Sequence, residues 1–151
     1  MSRSPGALCT VAEDQSDTVS RKQVVDAATV THVASRITEL VLDCTDPERL
    51  ATFWGEVLGY EVLGRGDDWA EIGPPDKRST LLFLRNPDRK LQKLRLHIDV
   101  TATDREQDAE LERLLALGAT PVDISQGEVS WHVLADPEGN EFCLLSGRAD
   151  P

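Results

Sequence analysis

One pattern is spelled twice in this chain, and the repetition bounds the fold more tightly than any single motif. Thr45-Asp46 returns as Thr103-Asp104, and Leu58-Gly59 returns as Leu117-Gly118, at offsets of 58 and 59 residues. Before the first acid, residues 36–44 alternate as a strand does, with Ile37, Glu39, Val41 and Asp43 on one face and Thr38, Leu40 and Leu42 on the other. Asp46-Pro47-Glu48 then supplies an N-cap, a proline for the first turn and an acid at the positive helix end. Leu50, Phe53, Trp54, Val57 and Leu58 recur at helical spacing, and Gly59 stops the helix. Strand-like runs follow at 60–63, 69–72 and 81–84.

The second copy has a strand at 94–101 and Asp104 as an N-cap, with Gln107 three residues on. A stripe of Leu111, Leu114 and Leu115 follows, then Gly118, then strands at 121–124, 130–135 and 141–145. A unit of this length is too long for a solenoid repeat and too short to bury a core alone. Two βαβββ modules building one shared sheet, an α+β fold, is the solution expected, with module boundaries near 36–90 and 91–147.

The flanks differ. Residues 1–35 are rich in Ser, Thr, Asp and Ala and hold no aromatic residue. They carry too little apolar surface to offset the cost of ordering, so a flexible N-terminal tail is expected there and a short C-terminal tail at 148–151. Sixteen basic against 27 acidic residues give a net charge of −11, which sets nucleic acid and anionic membrane aside as partners. No run is long and apolar enough to cross a bilayer, and the first residues lack a signal peptide's apolar stretch. Three widely spaced cysteines (Cys9, Cys44 and Cys143) fit reduced thiols, so a cytoplasmic location is expected.

LVLDCTDPERLATFWGEVLGYEV, LLFLRNPDRKLQKLRLHIDV, LLALGAT and WHVLADPEGNEFCLL, in that order and spacing, resemble the vicinal oxygen chelate superfamily. The likeness is to its small glyoxalase-like or bleomycin-resistance-like branch of actinobacterial type, over residues 36–147. It implies that the strands of both modules curl into a cup holding one ligand, with the helices on the outer face. It also implies a homodimer. Nothing resembles a glutathione site, so glutathione-dependent glyoxalase I activity is not expected.

Strand parity then assigns the cup. If Leu96, Ile98 and Val100 face the helices, then Arg95, His97, Asp99 and Thr101 face the cup, as do Glu39, Val41 and Asp43. Glu39 and His97 are symmetry mates under the repeat. Trp69, Glu71, Trp131, Val133, Glu141, Cys143 and Leu145 are assigned to the same side, and Leu84 joins them through the resemblance. The metal-dependent relatives imply ligands at the positions of Glu39, Leu84, His97 and Cys143. Leucine cannot coordinate, so no metal is expected, although Zn, Fe or Mn held by Glu39, His97 and Cys143 is chemically conceivable. The DPEGN segment at 136–140 has the physics of a turn and receives no catalytic role.

Two functions are open at this point, and the sequence leans to the first. The chain is a lyase or isomerase acting on a small organic molecule, with Glu39 and His97 as acid and base and Asp99 orienting the proton. Alternatively it sequesters a drug or metabolite without altering it, using Val41, Trp69, Leu84, Trp131, Val133 and Cys143 as binding walls. The composition of the first segment carries its own test. Deleting residues 1–35 should leave the thermal unfolding midpoint nearly unchanged, and a drop of many degrees would show that the segment packs.

Overall fold

The computed structural model describes residues 35–150, so the expectations for the preceding tail and for residue 151 lie outside the described residues. Each module is βαβββ. The first consists of β1 (Glu39–Cys44), α1 (Pro47–Leu58), β2 (Glu61–Gly66), β3 (Trp69–Gly73) and β4 (Thr80–Arg85). The second consists of β5 (Ile98–Val100), α2 (Gln107–Leu117), β6 (Thr120–Pro121), β7 (His132–Ala135) and β8 (Glu141–Leu144). The strands form two four-stranded mixed sheets ordered β1-β4-β3-β2 and β5-β8-β7-β6. The shared sheet is thus divided at its middle, with β1 and β5 as terminal strands. In each sheet the first and last strands of the module run parallel and the remaining pairs antiparallel.

Alternation builds one face of each sheet into a common core. Leu81, Phe83, Ala70 and Ile72 of the first sheet and Leu134, Phe142 and Leu144 of the second are buried with Leu50, Phe53, Trp54 and Leu114 of the helices. The rings of Phe53, Trp54 and Phe142 meet edge to face at centroid distances of 5.2 to 6.1 Å. Helix α1 starts as its sequence dictates. The Asp46 side chain accepts from the Arg49 amide, Pro47 fills the first turn, and Gly59 ends it with φ 66°. Its last turn has no basic residue of its own. Arg113 of α2 supplies the charge instead, donating to the carbonyls of Glu56 (2.9 Å) and Val57 (3.2 Å) while Glu110 grips it from behind.

The turn between β7 and β8 locks the modules together. Asp136, 2% exposed, accepts from the amides of Glu138 and Asn140, from the Asn140 side chain and from the indole N–H of Trp54 (3.2 Å). Glu138 reaches back to the start of α1, accepting from the Thr45 amide and hydroxyl and the Asp46 amide. The segment is structural, but it bonds across modules rather than only within its own hairpin.

Three local expectations need correction. Helix α2 begins at Gln107 with Glu106 at its N-cap, not Asp104. Asp104 is held instead by the Arg105 guanidinium at 2.8 and 3.0 Å, and Gln107 donates to the carbonyls of Ser130 and Leu144. Strand β5 is three residues long rather than eight, because the preceding stretch finds no strand neighbour; the Leu94 amide donates to the Glu141 side chain. Leu96 is accordingly 65% exposed and does not face the helices. No helix among the described residues is long and apolar enough to cross a membrane.

Removing the Asp136 carboxylate orphans donors in a dry site, so Asp136→Ala should cost about 3 kcal/mol, against about 1 kcal/mol for Glu138→Ala at the wetter end. Urea unfolding compares them, and equal losses would refute the hierarchy. Cys44, 4% exposed, offers its thiol to the Leu84 carbonyl at 3.6 Å. Burial, reinforced by Glu138 and opposed by Arg85, pushes it up to about 11 from an ordinary 9.0. The folded chain keeps that proton where the unfolded chain releases it, so this group's stabilising contribution is lost as pH rises from about 9 to about 11. Cys44→Ala should flatten that part of the stability profile; an unchanged slope would contradict it.

Candidate functional site

Each sheet turns its second face away from the core. In the second sheet, register places Asp99 beside Cys143 and Cys143 beside Val133, so these three share one face. The loop after β6 folds over that face. It is shaped by Gln126 accepting from the Ile124 amide, Asp123 accepting from the Ser125 amide, and left-handed backbone at Ser125 and Gly127. The result is a recess of about 400 Å³ lined by His97, Asp99, Ile124, Gln126, Trp131, Cys143 and Leu145. Val133 has the parity expected of it but is buried, with 4% of its surface exposed, and is not among the walls.

The polar end of the recess has definite chemistry. His97 Nε2 contacts the Lys93 ammonium and lies 3.2 Å from the Leu94 carbonyl oxygen. One ring nitrogen cannot accept from an ammonium and donate to a carbonyl at once, so these contacts alternate with the tautomer. Burial first, then the Asp99 carboxylate bonded to it, raise the Cys143 thiol above its ordinary value, with Lys93 opposing. Cys143 is therefore a neutral thiol at neutral pH. Just outside the recess, Glu141 accepts from Lys90 (2.7 Å) and from the Leu94 amide (3.1 Å). Burial pushes its carboxyl up, but those bonds outweigh burial and hold it below the usual range.

The other expected residues lie on the first sheet. Glu39, Val41, Trp69 and Leu84 occupy its open face and are not walls of the recess. Glu39 makes no side-chain hydrogen bond among the described residues, and His97 is engaged by its own chain neighbours. A smaller crevice of about 280 Å³ opens beside β1, over Leu40, Leu42, Trp54 and Ile98, with Asp43 and Glu141 at its rim. Both carboxylates there already have partners, Asn86 and Lys90.

Register also revises the symmetry. Cys143 stands opposite Asp99, two residues beyond His97; the matching residue opposite Val41, two beyond Glu39, is Leu82. Leu84 pairs with Asp43 instead. Either leucine leaves that corner without a donor. That corner therefore contributes nothing to the coordination of a divalent metal. Among the described residues no three His, Cys, Asp or Glu side chains gather in a metal-binding arrangement.

Lys93, Ile124 and Gln126 were not found from the sequence. Lys93 precedes His97 by four residues, a spacing that means nothing until the chain is seen to turn there. Ile124 falls in the strand expected at 121–124, whereas only Thr120–Pro121 pairs.

The model of the glyoxalase-like domain matches residues 39–145. Among curated proteins none matches the chain. A glyoxalase/bleomycin resistance protein/dioxygenase family enzyme from Burkholderia phytofirmans PsJN superposes with a TM-score of 0.58 at 16% identity, covering 73% of this chain and 97% of that one. The fosfomycin resistance protein FosX from Mesorhizobium loti gives 0.57 at 15% identity, covering 76% and 94%. FosX from Listeria monocytogenes, solved as a variant with Mn(II) and 1S,2S-dihydroxypropylphosphonic acid, gives 0.59 at 17%, covering 76% and 94%. These likenesses establish the fold of paired βαβββ modules. With its family model spanning both modules, the chain belongs to the glyoxalase-like domain family.

Proposed function

We propose that this protein captures a small organic molecule in the recess over β5 and β8, its planar apolar part against Trp131 and a hydrogen-bonding group toward His97 and Asp99. One observation carries the reading. Ile124, Trp131 and Leu145 make apolar walls, while His97, Asp99 and Cys143 bring donors and acceptors to the same small volume. A few placed polar groups in a mostly apolar concavity are what orient a ligand that apolar contact retains. Free, buried Cys44 and Cys143 support action in a reducing cytoplasm, and the unpaired outer edges of β2 and β6 support a homodimer as the working unit.

The lyase or isomerase reading rests on His97. The imidazole is a side chain of the acid–base type that such a reaction needs, and it stands at the polar end of the recess beside Lys93. Capture is favoured over turnover because Glu39, the other half of the expected pair, lies on the first sheet and has no bond to His97.

The two readings separate on one set of variants. With N-phenyl-1-naphthylamine as a neutral planar probe, Trp131→Ala should weaken binding about tenfold or more, and His97→Gln or Asp99→Asn only a few-fold. Unchanged binding in Trp131→Ala would sink the capture reading. Turnover of any small carbonyl or hydroxyl compound, lost about a hundredfold or more in both His97→Gln and Glu39→Gln with the fold intact, would establish the enzyme instead.

A further inference from the structure

The outer edge of the second sheet is left partly uncovered. Strand β6 ends at Pro121, and after it only the Val122 amide reaches β7, donating to the Val133 carbonyl at 3.0 Å. The chain then leaves the sheet through the turn at Asp123–Gly127 and rejoins it at His132. Between this edge, the returning loop and α2 lies a groove of about 370 Å³.

The groove is walled by three elements. Leu111 and Leu115 come from α2, Val129 from the loop and Val133 from β7. Helix α2 commits only part of its leucine stripe to the core, since Leu114 is 0% exposed and Leu115 beside it 37%. Val133, expected in the ligand cup, is a wall of this groove and not of the recess. Aliphatic side chains on both sides of a narrow concavity suit an aliphatic chain, which gains by leaving water and needs no partner of its own.

What occupies the groove follows from where it begins. Trp131 and Gln126 line both the groove and the recess, so the two cavities adjoin across one indole and one amide. The recess has its polar groups, His97 and Asp99, at one end and Trp131 among its walls. A molecule with a hydrogen-bonding group at that end and a ring against Trp131 has room to continue past the indole. There it meets the leucines of α2.

Resting on the capture reading, we propose that the captured molecule is elongated, with an aromatic head in the recess and an aliphatic chain running past Trp131 into the groove beside α2. The probes are 4-ethylphenol, 4-butylphenol and 4-hexylphenol, whose hydroxyl, ring and chain follow one another in that order. Calorimetric titration of the full chain should show affinity rising about three- to fourfold for each methylene added. Leu115→Gln combined with Val129→Asn should lower affinity for 4-hexylphenol about tenfold and leave 4-ethylphenol and N-phenyl-1-naphthylamine unchanged. If the double variant does not fold, Leu115→Gln alone, at a partly exposed helix position, decides by the same comparison.

Equal affinity across the series overturns the proposal, as does a gain with chain length that survives the substitutions. Both results leave the capture reading standing, because N-phenyl-1-naphthylamine reports on the recess alone. Binding of the naphthylamine without binding of any phenol overturns the proposal too. Sedimentation showing a dimer that Leu115→Gln dissociates does the same, since a second copy then covers the groove. If neither the phenols nor the naphthylamine binds, the capture reading falls and this proposal with it.

Discussion

An indole N–H buried in an apolar core must find an acceptor, and that requirement holds the two modules together. Trp54 brings the largest ring of the core to the face of α1, where it packs against Phe53 and Phe142 and its nitrogen meets Asp136. Asp136 comes from the other module and is almost wholly buried. A carboxylate so placed is tolerable only with its lone pairs filled, and the hairpin amides of Glu138 and Asn140 fill them. The turn therefore cannot move without stranding the indole, and α1 cannot shift without stranding the carboxylate. Glu138, bonded at the N-terminal end of α1, fixes the angle of approach.

That joint decides which faces remain for chemistry. With α1 packed on the first sheet and its Phe53 and Trp54 against Phe142 of the second, most of the core side is filled, and the recess lies on the opposite side. The loop between β6 and β7 covers this side in the second sheet and creates a recess with walls. In the first sheet the corresponding connection between β2 and β3 is only Asp67-Asp68. Trp69 instead lies against Gly64 and Gly66 and the face stays open. One architecture written twice thus yields a lined recess in one half and an open face in the other, and this connection is longer where the recess forms.

The parts of this arrangement legible in the sequence are those fixed by local chemistry. Asp46 and Gly59 bound α1 because an N-cap acceptor and a left-handed residue are needed wherever a helix stops. The alternation along β1 gave Glu39, Val41 and Asp43 their common face, and the stripe of α1 placed Trp54 in the core. What escaped depends on partners distant in sequence. Asp104 has every local credential of a cap, yet Arg105 beside it binds the carboxylate more strongly than a helix amide could. Leu96 alternates correctly with Ile98, but its segment has no strand to pair with and bends away. Lys93 becomes part of the site only through that bend. Leu82 could not be matched to Cys143 by offset, because the loops before β4 and β8 differ in length, and hydrogen-bond register alone aligns them.

Once the halves are aligned by register, their divergence has a direction. The pairs are Glu39 with His97, Val41 with Asp99, and Leu82 with Cys143. In the second module each position is titratable and the three side chains gather at one recess. In the first, two of the three are aliphatic and the remaining acid stands alone at the edge of an open face. A repeated fold that used both halves symmetrically around one shared ion would keep donors in both. In this chain the donors stand in one half and apolar contact area in the other. Binding chemistry can tolerate that division, because apolar contact and polar orientation need not come from the same module, whereas a metal centre shared between the modules cannot.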